Sequence, residues 1–224
     1  LINSQMQPGS WFTKRKRYKA VVLDRIVDAI RMVKIPDPEQ VVHKYPHELS
    51  GGMRQRCMIA IALACHPEIL IADEATTNLD VTIQARILEL MMDLRKEMKT
   101  AMILITHDMG IVAETCDRVV VMYAGDVVEE ADVFSIFDNP SHPYTLGLLA
   151  AIPRITRDKE DTLRSVPGTV PSLINPPPGC RFNGRCKYAT DICLKDKPAA
   201  QQIGPHHFVA CHNINQVNKE ETEI

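Results

Sequence analysis

The chain has 224 residues, of which 45% are hydrophobic and 24% are charged, and these fractions are ordinary for a soluble globular protein that can bury a substantial core. Its formal net charge of −2 argues against a general nucleic-acid-binding protein, which is usually basic. No apolar run approaches the ~18 residues of a membrane-spanning helix, so any work at a membrane would be that of a peripheral subunit.

The first part of the chain alternates between helical and strand patterns. We expect residues 1–20 to be irregular, with the basic run Lys14–Arg17 in solvent and no signal peptide at Leu1. An amphipathic helix is predicted at Val21–Val33, and Pro36 ends it. The pattern then predicts a helix from Ser50 to about Ala64, buried strands at Glu68–Asp73 and Ala101–Thr106, a helix at Val81–Met98, and a hairpin of the strands Arg118–Tyr123 and Asp126–Glu129. This order favours an α/β layer with a parallel sheet.

The composition changes after Pro153. Five prolines in Val166–Gly179 predict an extended, linker-like segment, and a cysteine-bearing tail that we expect to be irregular follows it. We therefore divide the chain into a partial α/β domain, residues 1–152, and a C-terminal region, residues 153–224.

The strongest chemical signal is the segment Leu49–Arg56. Ser50 is a good N-cap, and the glycines Gly51 and Gly52 allow close approach of an anion to the backbone. A helix start presents unpaired N–H groups and the positive end of the helix dipole, which together bind phosphate well. A capped helix without a ligand explains the same residues, so the segment alone does not show whether this helix start binds phosphate.

Two further segments follow at the ends of buried strands. Asp73 and Glu74 end the first strand, where nucleotide-binding folds place a magnesium-ordering carboxylate and a group that polarises water. His107 follows the next strand and could contact a terminal phosphate. Each could be structural, but their order along the chain favours nucleotide chemistry.

Together these segments resemble the ABC (ATP-binding cassette) ATPases. Leu49–Arg56 resembles the signature motif, Ile69–Glu74 the Walker B strand, Thr77–Asp80 the D-loop, and His107 the switch histidine. The resemblance implies a P-loop NTPase fold of the α/β class, with a helical signature segment and with ATP and Mg²⁺ as cofactors.

The family's mechanism gives these positions roles. Two ATPase domains pair head to tail, and each ATP lies between the phosphate loop of one domain and the signature of the other. The resemblance implies ATP-binding residues at Ser50, Gly51, Gly52, Gln55 and Asp80, a magnesium site at Asp73, and catalytic residues at Glu74 and His107.

Later segments indicate the subfamily. Met122–Glu129, Asn139–Thr145 and Leu148–Pro153 resemble the oligopeptide/dipeptide importers and relatives that carry nickel or glutathione. The resemblance implies peptide import driven by ATP hydrolysis at the cytoplasmic face of the membrane. The implied partners are a second ATPase subunit, two transmembrane permease subunits and, indirectly, an extracellular solute-binding protein, with no nucleic acid.

The tail contains Cys180, Cys186, Cys193 and Cys211. Their spacing fits neither the paired zinc pattern nor the ferredoxin run, so chemistry alone leaves a metal site and free thiols open. The resemblance to peptide-importer tails implies a [4Fe–4S] cluster, with zinc second. We expect the remaining cysteines in the core and the tail histidines in solvent, namely Cys57, Cys65 and Cys116, and His206, His207 and His212.

The sequence departs from the family in three places. The 224 residues contain no Gly-x-x-x-x-Gly-Lys-Ser/Thr, the phosphate loop of complete ATPases. Ala75 stands where the family usually has proline, and Asn78 is unusual at its position. We therefore expect that this polypeptide alone does not hydrolyse ATP.

Two other functions remain open at this point. One is a non-catalytic regulatory or split half that completes a partner's ATP site. The other is a soluble ABC ATPase of DNA repair or translation, although such proteins usually carry paired cassettes or coiled-coil insertions, and neither pattern is visible. Copurification with two membrane subunits distinguishes the importer from the soluble ATPase.

Overall fold

The computed structural model describes residues 11–76, 79–152 and 166–221. The chain divides into two units, Leu1–Thr106 and His107–Ile224, and each is treated by itself below. No helix among the described residues is long and apolar enough to cross a membrane.

The first unit begins with helix α1, Trp11–Met32, followed by the short helix α2, Pro38–Val41. The prediction of an irregular segment is wrong for residues 11–20, because lysine and arginine are good helix formers even without an apolar pattern. Residues 1–10 lie outside the described residues. The side chains of the basic run Lys14–Arg17 lie outside the described residues. The guanidinium of Arg56 donates a hydrogen bond of 2.8 Å to the carbonyl oxygen of Val33, just past the end of α1.

The rest of the first unit follows the predicted pattern. It contains helix α3, Gly51–Leu63, strand β1, Ile69–Asp73, helix α4, Val81–Met98, and strand β2, Ala101–Ile105. The two strands are parallel and in register, with Asp73 opposite Ile105. One face of the pair packs on a core to which α4 contributes its buried stripe, Ile87, Leu90, Met91 and Leu94.

The second unit begins with helix α5, Met109–Thr115, and a hairpin of β3, Arg118–Tyr123, and β4, Asp126–Asp132. Ala124 and Gly125 both have positive φ, 48° and 86°, as the favoured two-residue hairpin turn requires. The predicted hairpin is confirmed, with β4 longer than expected. Helices α6, Val133–Asp138, and α7, Pro143–Ala150, complete this part.

The tail is not irregular as predicted. It contains helix α8, Asp191–Lys195, strands β5, Gln201–Gly204, and β6, His207–Val209, and helix α9, Ile214–Glu221. Strand β6 pairs antiparallel with β4, which gives a four-stranded sheet in the order β3-β4-β6-β5. These strands are too short to show a periodic pattern, and they are ordered by the pairing of β6 with β4 and of β5 with β6.

Candidate nucleotide-binding and cysteine sites

The signature segment forms a capped helix start. The hydroxyl oxygen of Ser50 accepts a hydrogen bond of 3.3 Å from the backbone N–H of Met53, and Gly51 and Gly52 are the first residues of α3. Gln55 follows one turn later on the same helix and is half-buried. The first N–H groups of a helix have no partner within the helix, so this turn can receive an anion.

The two predicted acids lie at the carboxyl end of β1, and both are exposed. The backbone N–H of Glu74 donates to the carbonyl oxygen of Ile105 at 3.0 Å, which continues the β1–β2 pairing by one residue. Glu74 has φ of 44°, a conformation that non-glycine residues adopt at a cost of order 1–3 kcal/mol. Glu74 therefore lies in a turn directly after the strand that ends at Asp73.

The D-loop segment leads from this turn into α4. Asp80 is the N-cap of α4, and its Oδ1 accepts a hydrogen bond of 2.9 Å from the backbone N–H of Ile83. Thr77 and Asn78 lie outside the described residues. The other predicted nucleotide residues except His107 are also in the first unit. His107 is exposed, belongs to the second unit, and directly precedes Asp108, the N-cap of α5.

A buried polar cluster that the sequence analysis missed lies in the second unit. Glu129 on β4 is fully buried, and its two oxygens accept the backbone N–H groups of Ser141 and His142 at 2.8 and 2.9 Å. Nε2 of His207, on β6, lies 2.8 Å from Oε1 of Glu129. One carboxylate thus joins the hairpin, the start of α7 and the tail.

His142 is held neutral in this cluster. Burial lowers its pKa from 6.5 to about 4. Its Nδ1 accepts a hydrogen bond of 3.0 Å from the backbone N–H of Tyr144, so the ring caps α7. No local pattern marks Glu129 as buried, because it is one of four acids in β4.

The four tail cysteines are free thiols that lie near one another. Cys193 and Cys211 are buried, while Cys180 and Cys186 are half-buried. Burial raises the pKa of Cys186 to about 11, and the charges of the other three thiols act in the same direction. The backbone N–H of Asn213 donates to Sγ of Cys211 at 3.3 Å. The second unit therefore gathers all four thiols.

Their arrangement does not support the predicted metal. Across residues 11–76, 79–152 and 166–221, no group of three or more His, Cys, Asp or Glu side chains is placed to hold a metal ion. The [4Fe–4S] cluster, and zinc as its alternative, therefore find no support in the side-chain positions. His207 is buried against Glu129 rather than solvated, and Cys65 is exposed rather than in the core because α3 has already ended at Leu63.

Comparison with known proteins identifies the family. The ABC transporter family model matches residues 3–77, and the model of the oligopeptide/dipeptide transporter C-terminal region matches residues 128–193. A probable peptide ABC transporter ATP-binding protein of Sinorhizobium fredii is 52% identical over 89% of this chain and 59% of its own length. The chain belongs to the ABC transporter ATP-binding proteins.

Two other relatives are also named as ATP-binding proteins of peptide transport. The oligopeptide transport ATP-binding protein AppD of Bacillus subtilis is 55% identical over 88% of this chain and 60% of its own length. The dipeptide transport ATP-binding protein DppD of Escherichia coli is 50% identical over 87% of this chain and 59% of its own length. The chain thus spans about 60% of the length of the relatives it matches.

Membership of the family gives the chain its mixed α/β ABC ATPase fold and explains the order of its motifs. It also accounts for the second unit, because the oligopeptide/dipeptide region includes Glu129, the His142 cap and three of the four tail cysteines. The individual roles of the motif residues stay predictions.

Proposed function

We propose that this chain is part of the ATP-binding, energy-coupling subunit of an ABC importer for oligopeptides, dipeptides or related small solutes. The observation that carries the proposal is a single unit that holds the signature turn, the acid pair and the Asp80 cap. The relatives named as peptide transport ATP-binding proteins support the substrate class. Neither the regulatory half nor the soluble DNA-repair ATPase is favoured by a specific observation.

The geometry suits the family's division of labour. In a head-to-tail pair, the N–H groups at the start of α3 and the Ser50 hydroxyl would meet the γ-phosphate of ATP bound to the second ATPase subunit, with Gln55 nearby. Asp73, exposed at a strand end, would order Mg²⁺ through water. When bound, the ion would neutralise the developing charge on the phosphates.

Glu74 is the proposed general base. It lies in a turn at the end of β1, and an exposed carboxylate can accept a proton from an attacking water. His107 is proposed to sense the γ-phosphate, and Asp80 to meet the partner across the dimer. The partners would be a second ATPase subunit, two permease subunits and, through them, an external solute-binding protein, at the cytoplasmic face of the membrane.

An exposed apolar face supports the proposal that further protein completes the site. On the face of β1 and β2 that carries Asp73, Ile71 is 63% exposed and its partner Ile103 is 50% exposed. Parallel sheets are normally covered on both faces, and two strands rarely stand alone. We propose that the portion of the subunit outside these 224 residues covers this face and supplies the phosphate loop.

A kinetic experiment tests the proposed function. In the complete subunit assembled with its membrane partners, Glu74→Gln should reduce Mg²⁺-dependent phosphate release about a hundredfold or more, because the general base is lost. Glu89→Gln is the matched control, since Glu89 is an exposed acid on α4 and should keep the wild-type rate. Equal rates for both variants would refute the role of Glu74.

For the tail we propose a metal-bound state of the four cysteines, a [4Fe–4S] cluster with zinc as the alternative. The resemblance of the tail to those of peptide importers supports this proposal, and the N–H···S bond from Asn213 would hold the Sγ atom of Cys211 in place as a ligand. The four side chains, which are not at ligand spacing, would move closer together when a metal binds. Anaerobic purification with iron, sulfide and zinc analysis tests it. Cys186→Ser should abolish the metal, whereas Cys65→Ser, at an exposed thiol outside the tail, should retain it. Metal-free wild-type protein would refute the proposal.

A further inference from the structure

The first turn of α3 rests on the side chains that flank Asp80. A Cβ atom added to Gly52 would lie 3.1 Å from Cγ2 of Ile83 and 3.9 Å from its Cδ1. A Cβ atom added to Gly51 would lie 3.8 Å from Cδ2 of Leu79. The absence of a side chain at Gly52 therefore allows the backbone of the signature turn to approach Ile83 closely, whereas Gly51 has room for a side-chain carbon.

Ile83 is itself held firmly. Its backbone N–H donates a hydrogen bond of 2.9 Å to Oδ1 of Asp80. Its side chain packs against the same core as those of Leu79 and Met53. A β-branched side chain in a helix has essentially one χ1 rotamer, so Ile83 follows its backbone as a rigid group. A shift of Asp80 therefore moves the surface on which Gly52 rests.

We infer that Ile83 is a positioning residue that couples the signature turn to the D-loop residue Asp80 within one subunit. The inference rests on the proposed function, in which the signature turn serves the ATP bound to the second subunit and Asp80 meets that subunit across the dimer. Asp80 caps α4 and Ile83 lies in the first turn of the same helix, so a movement of Asp80 reaches Gly52 through Ile83. The two ATP sites of the dimer then respond to each other through packing inside each chain.

Truncation at Ile83 and growth at Gly52 have opposite steric effects, which gives a sharp test. Gly52→Ala places a methyl group 3.1 Å from Cγ2 of Ile83, a distance at which the neighbour must move. Ile83→Ala removes that atom and Cδ1, and so makes room for the new methyl group. Ile83→Val keeps a branch at the crowded position and removes only the distant methyl, so it should give no relief.

The experiment measures ATP hydrolysis by the complete importer carrying each variant alone and in pairs. Gly52→Ala should lower kcat about tenfold or more, since small misplacements at such sites are costly. Adding Ile83→Ala should restore several-fold of that loss, whereas adding Ile83→Val should not. Ile83→Ala alone should lower the Hill coefficient for ATP with little change in KM, because binding contacts remain while coupling is lost.

Ile87→Val is the control for general weakening of α4, since Ile87 is fully buried in the same helix and is not among the nearest contacts of either glycine. It should lower the melting temperature without changing the Hill coefficient. Multiplicative effects of Gly52→Ala and Ile83→Ala, or an unchanged Hill coefficient in Ile83→Ala, would overturn the inference.

Failure of the proposed function gives a different result. A wild-type importer without Mg²⁺-dependent ATP hydrolysis would refute that function and the coupling role with it. The same single and double variants measured by urea unfolding would then report only on the packing of Gly52 against Ile83. A different outcome would overturn only the coupling role. In that outcome the wild type hydrolyses ATP, and Ile83→Ala restores the urea midpoint of Gly52→Ala but does not restore its kcat.

Discussion

The buried His142 should make the stability of the second unit depend on pH. Burial holds its pKa at about 4 in the folded chain, whereas the ordinary value is 6.5. The folded pKa is lowered, so the unfolded state binds the proton more readily. Stability is therefore fully present above pH 6.5 and is lost as the pH falls from 6.5 through 4.

The magnitude follows from the two values. Each tenfold change in proton affinity is 1.36 kcal/mol, so full protonation costs roughly 3 kcal/mol. Two other polar side chains lie near this residue, because Glu129 accepts the His142 backbone N–H and His207 lies against Glu129. A comparison with a variant that lacks only the His142 ring removes their contribution.

His142→Asn is that variant, because an asparagine oxygen can replace Nδ1 as the cap of α7 but does not titrate. Urea unfolding followed by circular dichroism should be run between pH 7.5 and about 4.5. The difference in unfolding free energy between wild type and variant should change by about 2 kcal/mol in favour of the variant as the pH falls. Parallel pH profiles would refute the reasoning. His43→Asn, at an exposed histidine of the first unit, controls for the loss of a histidine as such.

Three further predictions concern ATP hydrolysis, the packing of the tail and the buried carboxylate of Glu129. The 224-residue chain alone should show no Mg²⁺-dependent ATP hydrolysis in a phosphate-release assay, because it contains no phosphate loop; turnover that Glu74→Gln abolishes would contradict this. Gly179→Ala should disrupt the tail, because the added Cβ atom would clash with the carbonyl oxygen of Cys193. Limited proteolysis should cleave this variant faster than the control variant Gly184→Ala, in which the added Cβ atom meets nothing within 4 Å. Glu129→Ala removes the acceptor of two buried N–H groups and should lower the unfolding free energy by about 3 kcal/mol. The control variant Glu114→Ala, at an exposed acid, should lower the unfolding free energy by less than about 1 kcal/mol.

The first unit was largely predictable because its signals are local. The apolar runs of β1 and β2, the spacing of α4, and the Ser50 cap each depend on neighbours within a few residues. The motif residues could be located for the same reason, since each lies at the end of such an element. The resemblance to ABC ATPases supplied their roles, which local patterns cannot give.

The second unit was less predictable. In the first unit, residues 11–20 also differ from the prediction, because a helix such as α1 can form from good helix formers without a regular apolar stripe. In the tail, β6 has only three residues, which is too few to show alternation. The burial of His207 could not be read from its neighbours, since it arises from contact with Glu129 on another strand.

The sequence by itself determined the chain's elements in the first unit, its motifs and its family, because helix periodicity, apolar runs and motif order are properties of contiguous residues. The tertiary structure alone decided that β6 joins β4, that Glu129 holds three segments together, and that Ile83 lies under Gly52. Each of these contacts joins residues far apart in the chain. Their energy depends on burial and exact distance, and neither quantity is written in local spacing.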